Sequence, residues 1–306
     1  MNLKELEYII KIGECGNLAS AAQALYITPS ALSQHLGKVE EDLGTPLFYR
    51  ARGNWQPTPA GLEYISACKR ILEIKEDSYR KIRDISNIRK GSLQIGMPPE
   101  RAKFIIRGVY PKFHSEYDGV TLNFLETSVR SQQKRIESGE LDLGFVTLSK
   151  KDKDDSEYIL LADEEIFLAV HPDDPRCSMA TPRDGSKYPE IDLKLFDNSP
   201  FALMSRNSTL RTVEDDIFSK HQVSPKVLFE TSRIETALDM VSEGICCALI
   251  SGAYFRHEDS TFRYFALSDH PKWQVSIIYK KGRYLSAAEH RFIELAKDFW
   301  QRMMRD

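Results

Sequence analysis

Helical spacing governs the first ninety residues apart from one short extended stretch, and at Gly91 it gives way to alternating strand and helix patterns. A chain that changes period in this way cannot be one uniform fold. Its 306 residues suit two or three domains at roughly 100 to 200 residues each, every one long enough to bury a core. Residues 3–14 set Leu3, Leu6, Ile9 and Ile10 among Glu5, Glu7 and Lys11, an amphipathic helix that Gly13 and Gly16 end. Asn17 caps a second, short helix over residues 19–26, where Ala21, Ala22 and Ala24 permit close contact. Ile27-Thr28-Pro29-Ser30 turns the chain into a third helix over 31–43, with Leu32, Leu36 and Val39 inward and Gly44 as its stop.

Two short helices joined by a tight turn form a helix-turn-helix, whose second helix can enter the DNA major groove with its N-terminal residues at the base edges. Thr28, Ser30, Ser33, Gln34 and His35 stand at that end. Hydroxyls and helix N-terminal amides bind phosphate without adding charge, and Gln pairs bidentately with adenine. Spacing alone also fits a small three-helix packing module with a polar surface. Residues 45–61 then place short extended pieces on either side of Gly53-Asn54, the pattern of a hairpin wing. Its Arg50 and Arg52 either reach phosphates or a minor groove, or are simply exposed. From Thr58 a long helix runs to about residue 88, and its Leu62, Ile65, Leu72, Tyr79 and Ile82 form a seam that suits a partner helix better than a globular core.

Charge gives this reading no help. The chain carries a formal −3, the first 90 residues hold 13 basic and 11 acidic groups, and residues 1–68 alone are net −2. A DNA-binding argument therefore has to rest on pattern rather than on a basic patch. The pattern is specific. Ala21-Ala22, Ser30-Ala31-Leu32-Ser33, the stretch from Val39-Glu40 through Leu43-Gly44 to Leu47-Phe48-Tyr49-Arg50, and Thr58-Pro59-Ala60-Gly61 stand at fixed spacing. In these residues the chain resembles LysR-type transcriptional regulators. It departs from them at Pro29-Ser30, where the family often has Gln-Pro, at Gln34, commonly Arg, and at Gly53, where a wing arginine is frequent.

Beyond Gly91, strands are expected at 93–97, 120–126, 141–146, 165–171, 201–204, 227–229, 245–250 and 274–279, with helices between them, which implies a mostly parallel sheet. This order resembles the effector domain of the same family, itself similar to periplasmic solute-binding proteins. The resemblance implies an α+β multi-domain chain. A winged helix-turn-helix covers 1–58 and a dimerising linker helix 59–90. A two-subdomain α/β effector domain covers 91–306, with subdomain one at 91–162 and 269–306 and subdomain two at 163–268. Crossover strands are expected near 160–167 and 263–269.

In such a fold a ligand sits between the subdomains, at strand ends and helix N-termini. The matching positions are Met97 to Arg101, with Pro99, Glu100 and Arg101 foremost, Thr127 and Ser128, Ser205, Arg206, Asn207, Ser208 and Thr209, and Thr231 and Ser232, together with Arg130. Ordinary N-capping is the competing role for the hydroxyl residues. Pro98-Pro99 removes two amide donors and Glu100 adds a carboxylate. With Arg130 and Arg206 on other walls, a ligand bearing both charges is one expectation and a plain carboxylate the other.

The sequence excludes several classes. No stretch approaches the roughly 20 apolar residues of a membrane span, and the charged start Met1-Asn2-Leu3-Lys4-Glu5 precedes no apolar signal core, so a cytoplasmic protein is expected. Cys15, Cys68, Cys177, Cys246 and Cys247 show no CxxC spacing and are read as reduced thiols ahead of a redox sensor. No helical His pair suggests a metal, no motif suggests a catalytic nucleophile or nucleotide loop, and no cofactor is expected. The reading is a ligand-responsive regulator that binds inverted-repeat promoter DNA. It would act as a dimer through the linker helix or a tetramer through the effector domains, with RNA polymerase as a further partner. The alternative is a cytoplasmic small-molecule-binding protein or enzyme with an accessory helical domain.

Overall fold

A computed structural model describes residues 3–51, 54–255 and 261–303, and the chain divides into two compact units, Met1–Asn87 and Ile88–Asp306. In the first unit α1 (Leu3–Cys15), α2 (Leu18–Ala24) and α3 (Pro29–Leu43) enclose a core of Ile9, Ile12, Ala21, Ala22, Leu32 and Leu36, closed from below by Leu47 and Phe48. Local chemistry sets the boundaries. Asn17 Oδ1 accepts from Ser20 N at 2.7 Å to start α2, Thr28 Oγ1 accepts from Ala31 N at 3.2 Å to start α3, and Gly44 ends α3 in the left-handed region at φ 67°. Strands β1 (Phe48–Ala51) and β2 (Asn54–Pro57) pair antiparallel.

Helix α4 (Pro59–Ile85) follows, about 40 Å long at the standard rise. Its Leu62, Ile74, Tyr79, Ile82 and Ile85 are exposed, so an apolar stripe runs along it without a covering layer from the rest of its own unit.

The second unit is built on a seven-stranded mixed sheet and a separate two-stranded parallel sheet. Its first lobe holds β3 (Gly91–Met97), α5 (Pro99–Glu116), β4 (Val120–Glu126), α6 (Val129–Glu137) and β5 (Leu143–Leu148), closed by β11 (Lys272–Tyr279) and α9 (Ala287–Met303). The second lobe holds β7 (Pro200–Met204), α7 (Thr209–His221), β8 (Lys226–Thr231), α8 (Ile234–Ser242), β9 (Ala248–Ser251) and β10 (Arg263–Ala266). Strand β6 (Glu157–Val170) serves both lobes without a break. It pairs with β11 up to Glu165 and with β9 and β10 from Ile166 onward. The sequence places a strand at 165–171 and a crossover strand near 160–167; the structure has one continuous strand through both, with Glu164 fully buried in it. No helix among the described residues is long and apolar enough to cross a membrane, and no described cluster of His, Cys, Asp or Glu is arranged to hold a metal. Burial pushes the Cys68 thiol up to about 11 and Cys247 up to about 12, which suits inert core thiols.

One buried group makes stability depend on pH. Glu214 of α7 is 1% exposed and accepts from Met204 N at 3.0 Å; burial pushes its pKa from 4.5 up to about 8, against the hydrogen bond and Arg211. The folded state thus holds a proton that the unfolded state releases near 4.5, so the stabilisation is complete below that pH and is lost as pH rises through about 8. The melting temperature should fall over this interval, and Glu214→Gln should remove most of the slope in thermal melts across the range. An unchanged slope would exclude Glu214 as its source.

Candidate functional site

Two sites emerge, one in each unit. In the first, α2, the turn after it and α3 present an exposed flank made by Thr28, Pro29, Ser30 and Gln34, continued one turn later by Lys38. Ser33 stands half-buried beside it. Thr28 is partly committed, since its hydroxyl caps α3 and lies 3.1 Å from Ser30 Oγ. Tyr26, in the left-handed region at φ 56°, is 96% exposed just ahead of this flank. Sequence reasoning missed Tyr26 and Lys38, although Lys38 lies four residues after Gln34 and shares its face by the helical period.

His35 departs from expectation. It turns toward α1, where its ring meets Tyr8 edge-on at 5.1 Å, because one residue past Gln34 the helix has rotated by about 100°. Arg50 of the wing is exposed but ion-paired with Glu40 of α3, its guanidinium 5.6 Å from the Trp55 ring. Glu40 also accepts from Leu47 N at 2.8 Å, and Trp55 N donates to Gly16 O at 2.6 Å. Wing and recognition helix are therefore held as one body. Arg52 lies outside the described residues.

In the second unit a cavity of about 250 Å³ lies between the lobes. Pro99, Glu100, Ser128, Asn207 and Ser208 line it as the sequence reading placed them. Thr209 and Ser232, from loops expected to face a ligand, join them with Thr147, Met204, Leu210, Ile234, Tyr254 and Trp273, most of which read in sequence as core positions. The remaining candidates stand elsewhere. Thr127 N donates to Met97 O at 2.9 Å at the end of β4, Arg130 is exposed on α6, Ser205 Oγ meets Ser232 Oγ at 3.0 Å, and Thr231 Oγ1 accepts from Arg233 N at 3.1 Å. Arg206 projects outward, 3.5 Å from Glu230. No described arginine, lysine or histidine lines the cavity, which removes the guanidinium walls on which the doubly charged ligand rested.

Arg101 is the clearest correction. Its side chain is 1% exposed, inside the protein rather than in the cleft, and makes a two-pronged ion pair with Glu164 at 2.9 and 2.7 Å. Glu164 further accepts from Trp300 Nε1 at 2.7 Å, Trp273 Nε1 at 2.9 Å and Ser251 Oγ at 2.5 Å. The rings of Tyr254, Trp300 and Trp273 lie 4.6, 5.0 and 5.7 Å from the guanidinium. Burial opposes both charges. Mutual attraction and the hydrogen bonds overcome it, holding Glu164 below the usual carboxylate range and Arg101 above its own. Tyr254 and Trp273 thus belong both to this network and to the cavity wall.

The lobes are clasped around the cavity. Glu100 of α5 accepts from Ile234 N, the first residue of α8, and Lys103 pairs with Glu235 beside it. Thr209 Oγ1 donates to Thr147 O at 2.6 Å, and Lys151 reaches Asp216 at 2.8 Å. Burial raises the Glu100 pKa, opposed by the Ile234 hydrogen bond and by Arg101.

Comparison with known proteins places both sites in one lineage. Residues 3–62 match the model of the bacterial regulatory helix-turn-helix proteins of the lysR family, and residues 86–301 match the LysR substrate binding domain. The chain is 27% identical to the uncharacterized HTH-type transcriptional regulator YcgK of Bacillus subtilis, covering 97% of this chain and 94% of that protein. It is 24% identical to the transcriptional dual regulator GltC of the same organism, with 99% of each covered. Full-length OxyR from Pseudomonas aeruginosa shares the fold with a TM-score of 0.69 at 20% identity, over 98% of this chain and 94% of that one. Full-length CbnR in complex with its target DNA does so at 0.58 and 20%, over 98% and 100%. With family models matching nearly its whole length, this chain belongs to the LysR family of transcriptional regulators.

Proposed function

We propose that this regulator reads inverted-repeat promoter DNA as a dimer or tetramer in the cytoplasm, and that a small polar metabolite in the cavity between the lobes sets its activity. The reading head spans 1–58, the pairing helix 59–90 and the sensor 91–306. The observation that carries the DNA part is the exposed Thr28, Ser30, Gln34 and Lys38 flank of α3 beside a wing clamped to it through Arg50 and Glu40. Pairing rests on the exposed apolar stripe of α4, which a second copy covers. A metabolite acts only through its difference in affinity for two arrangements of the protein, and clasped lobes that it can hold or release supply such a difference. Contact with RNA polymerase follows where the bound regulator activates.

A mobility shift on the protein's own upstream region tests this. Gln34→Ala should cost about 1 to 3 kcal/mol and relax discrimination at one base pair. Arg50→Ala should weaken binding evenly across sequences and lower the salt dependence by about one phosphate contact. Equal retardation of parent and both variants would reject the residue assignment. No retardation of any promoter fragment at low salt would reject the function.

A further inference from the structure

We propose that the effector is a small amine, an ammonium group on an apolar body, with its charge set against Glu100. This rests on the reading of the cavity as the effector site. Among the described residues, Glu100 is the only carboxylate, ammonium, guanidinium or imidazole side chain on the cavity wall. Its Oε1 holds the Ile234 amide, and no described residue donates to Oε2. The rest of the lining is neutral: hydroxyls of Ser128, Ser208 and Ser232, the Asn207 amide, and the apolar faces of Met204, Leu210 and Trp273.

The same geometry argues against an anion. Four cations close to the cavity are committed elsewhere: Arg101 to buried Glu164, Lys103 to Glu235, Arg206 to Glu230, and Arg211 to Asp215 and Glu230; Arg130 and Arg233 are exposed and do not line it. At the helix N-termini, the other natural seat for a carboxylate, one amide of each is already taken. Glu100 takes the first amide of α8, Ser208 Oγ accepts from Leu210 N of α7 at 3.2 Å, and Ser128 Oγ accepts from Ser131 N of α6 at 3.3 Å. An anion at these ends would lie beside an oxygen already bound there and, on the same wall, face the Glu100 carboxylate. An ammonium displaces nothing. It leaves the Glu100–Ile234 clasp in place and adds a partner to its free oxygen, so binding stabilises the closed lobes. Arg101 does not repel it, because Glu164 neutralises that charge within the core. The cavity volume, about 250 Å³, lies below the range of drug-sized pockets and sets a small ligand.

The test uses the full chain, thermal melts and tryptophan emission, since Trp273 lines the cavity. The probes are straight and branched alkylamines up to hexylamine, each beside the carboxylate and the alcohol of the same skeleton. At least one amine should give a saturable upward melting shift and bind about tenfold tighter than its two counterparts. Glu100→Gln keeps an oxygen for the Ile234 amide and should erase that preference while leaving alcohol binding in place. A carboxylate that outbinds its matching amine overturns the proposal, as does amine affinity within about twofold of the parent in Glu100→Gln. The charge ranking in the parent decides the matter even if the variant folds poorly. Promoter retardation measured on the same preparation separates the two levels: DNA binding with no saturable amine shift rejects the amine alone, whereas loss of DNA binding rejects the regulator reading.

Discussion

Glu164→Ala is expected to lower the stability of the C-terminal unit by about 3 to 5 kcal/mol, the cost of leaving a buried charge without its partner. The change orphans more than one donor. Arg101 loses both of its charged hydrogen bonds, and Trp273 Nε1, Trp300 Nε1 and Ser251 Oγ lose theirs in a site where Glu164 itself is 0% exposed. The Arg101 Nε has no partner even in the parent, so the site has no spare acceptor to offer. Urea unfolding followed by tryptophan emission checks this, because two of the three tryptophans sit on the lost carboxylate. A loss below about 1 kcal/mol would show that water enters and solvates the guanidinium. The double variant Arg101→Met with Glu164→Leu should recover much of the loss, since an apolar pair of similar volume removes the unpaired charge. The position of Glu164 gives the network its functional weight. It stands where β6 leaves β11 and takes up β9 and β10, so the ion pair fixes the crossing between lobes and, through Tyr254 and Trp273, one wall of the cavity.

That network marks the limit of what could be read from the chain alone. Helix starts were legible because their caps are local: Thr28 before Pro29, Thr58 before Pro59, and Ser128 and Ser208 each bond an amide two or three residues on. The family motif was legible for the same reason, its residues lying close together around one turn and one wing. Arg101 was misplaced because its neighbours Pro99 and Glu100 do face the cavity, and nothing local pairs it with a carboxylate 63 residues away. The polar run Asp163-Glu164-Glu165 gave no sign that Glu164 is core, since only the folded state supplies the donors that make a carboxylate tolerable there. Thr147, Tyr254 and Trp273 escaped notice because a cavity wall built from strand ends and aromatic rings has the composition of ordinary core.

Gly61→Ala should unfold or severely weaken the N-terminal unit and abolish DNA retardation, while the C-terminal unit keeps its own unfolding transition. A Cβ at Gly61 would stand 1.9 Å from Leu47 O and 2.9 Å from Leu47 C, contacts with backbone that no rotamer change relieves. The segment cannot step back, because Thr58 ties it down three ways: its N–H donates to Leu47 O at 2.9 Å, its hydroxyl donates to Pro46 O at 2.8 Å, and the same oxygen accepts from Gly61 N at 3.0 Å. Yielding would pull Leu47 and Phe48, both fully buried, out of the core beneath α1 and α3. Overpacking of a tight site costs about 1 to 3 kcal/mol and occasionally more, and a backbone clash on this scale belongs at the upper end. Gly37→Ala is the matched control. Its added methyl meets nothing within 4 Å, and relief of a helix-interior glycine should stabilise the same unit by about 0.5 to 1 kcal/mol. Opposite shifts of the N-terminal transition for these two substitutions, in urea unfolding of the full chain, would assign the motif glycine to the seam between α4 and residues 46–47. Equal stabilising shifts would mean that the Leu47 carbonyl gives way and that packing does not demand glycine there.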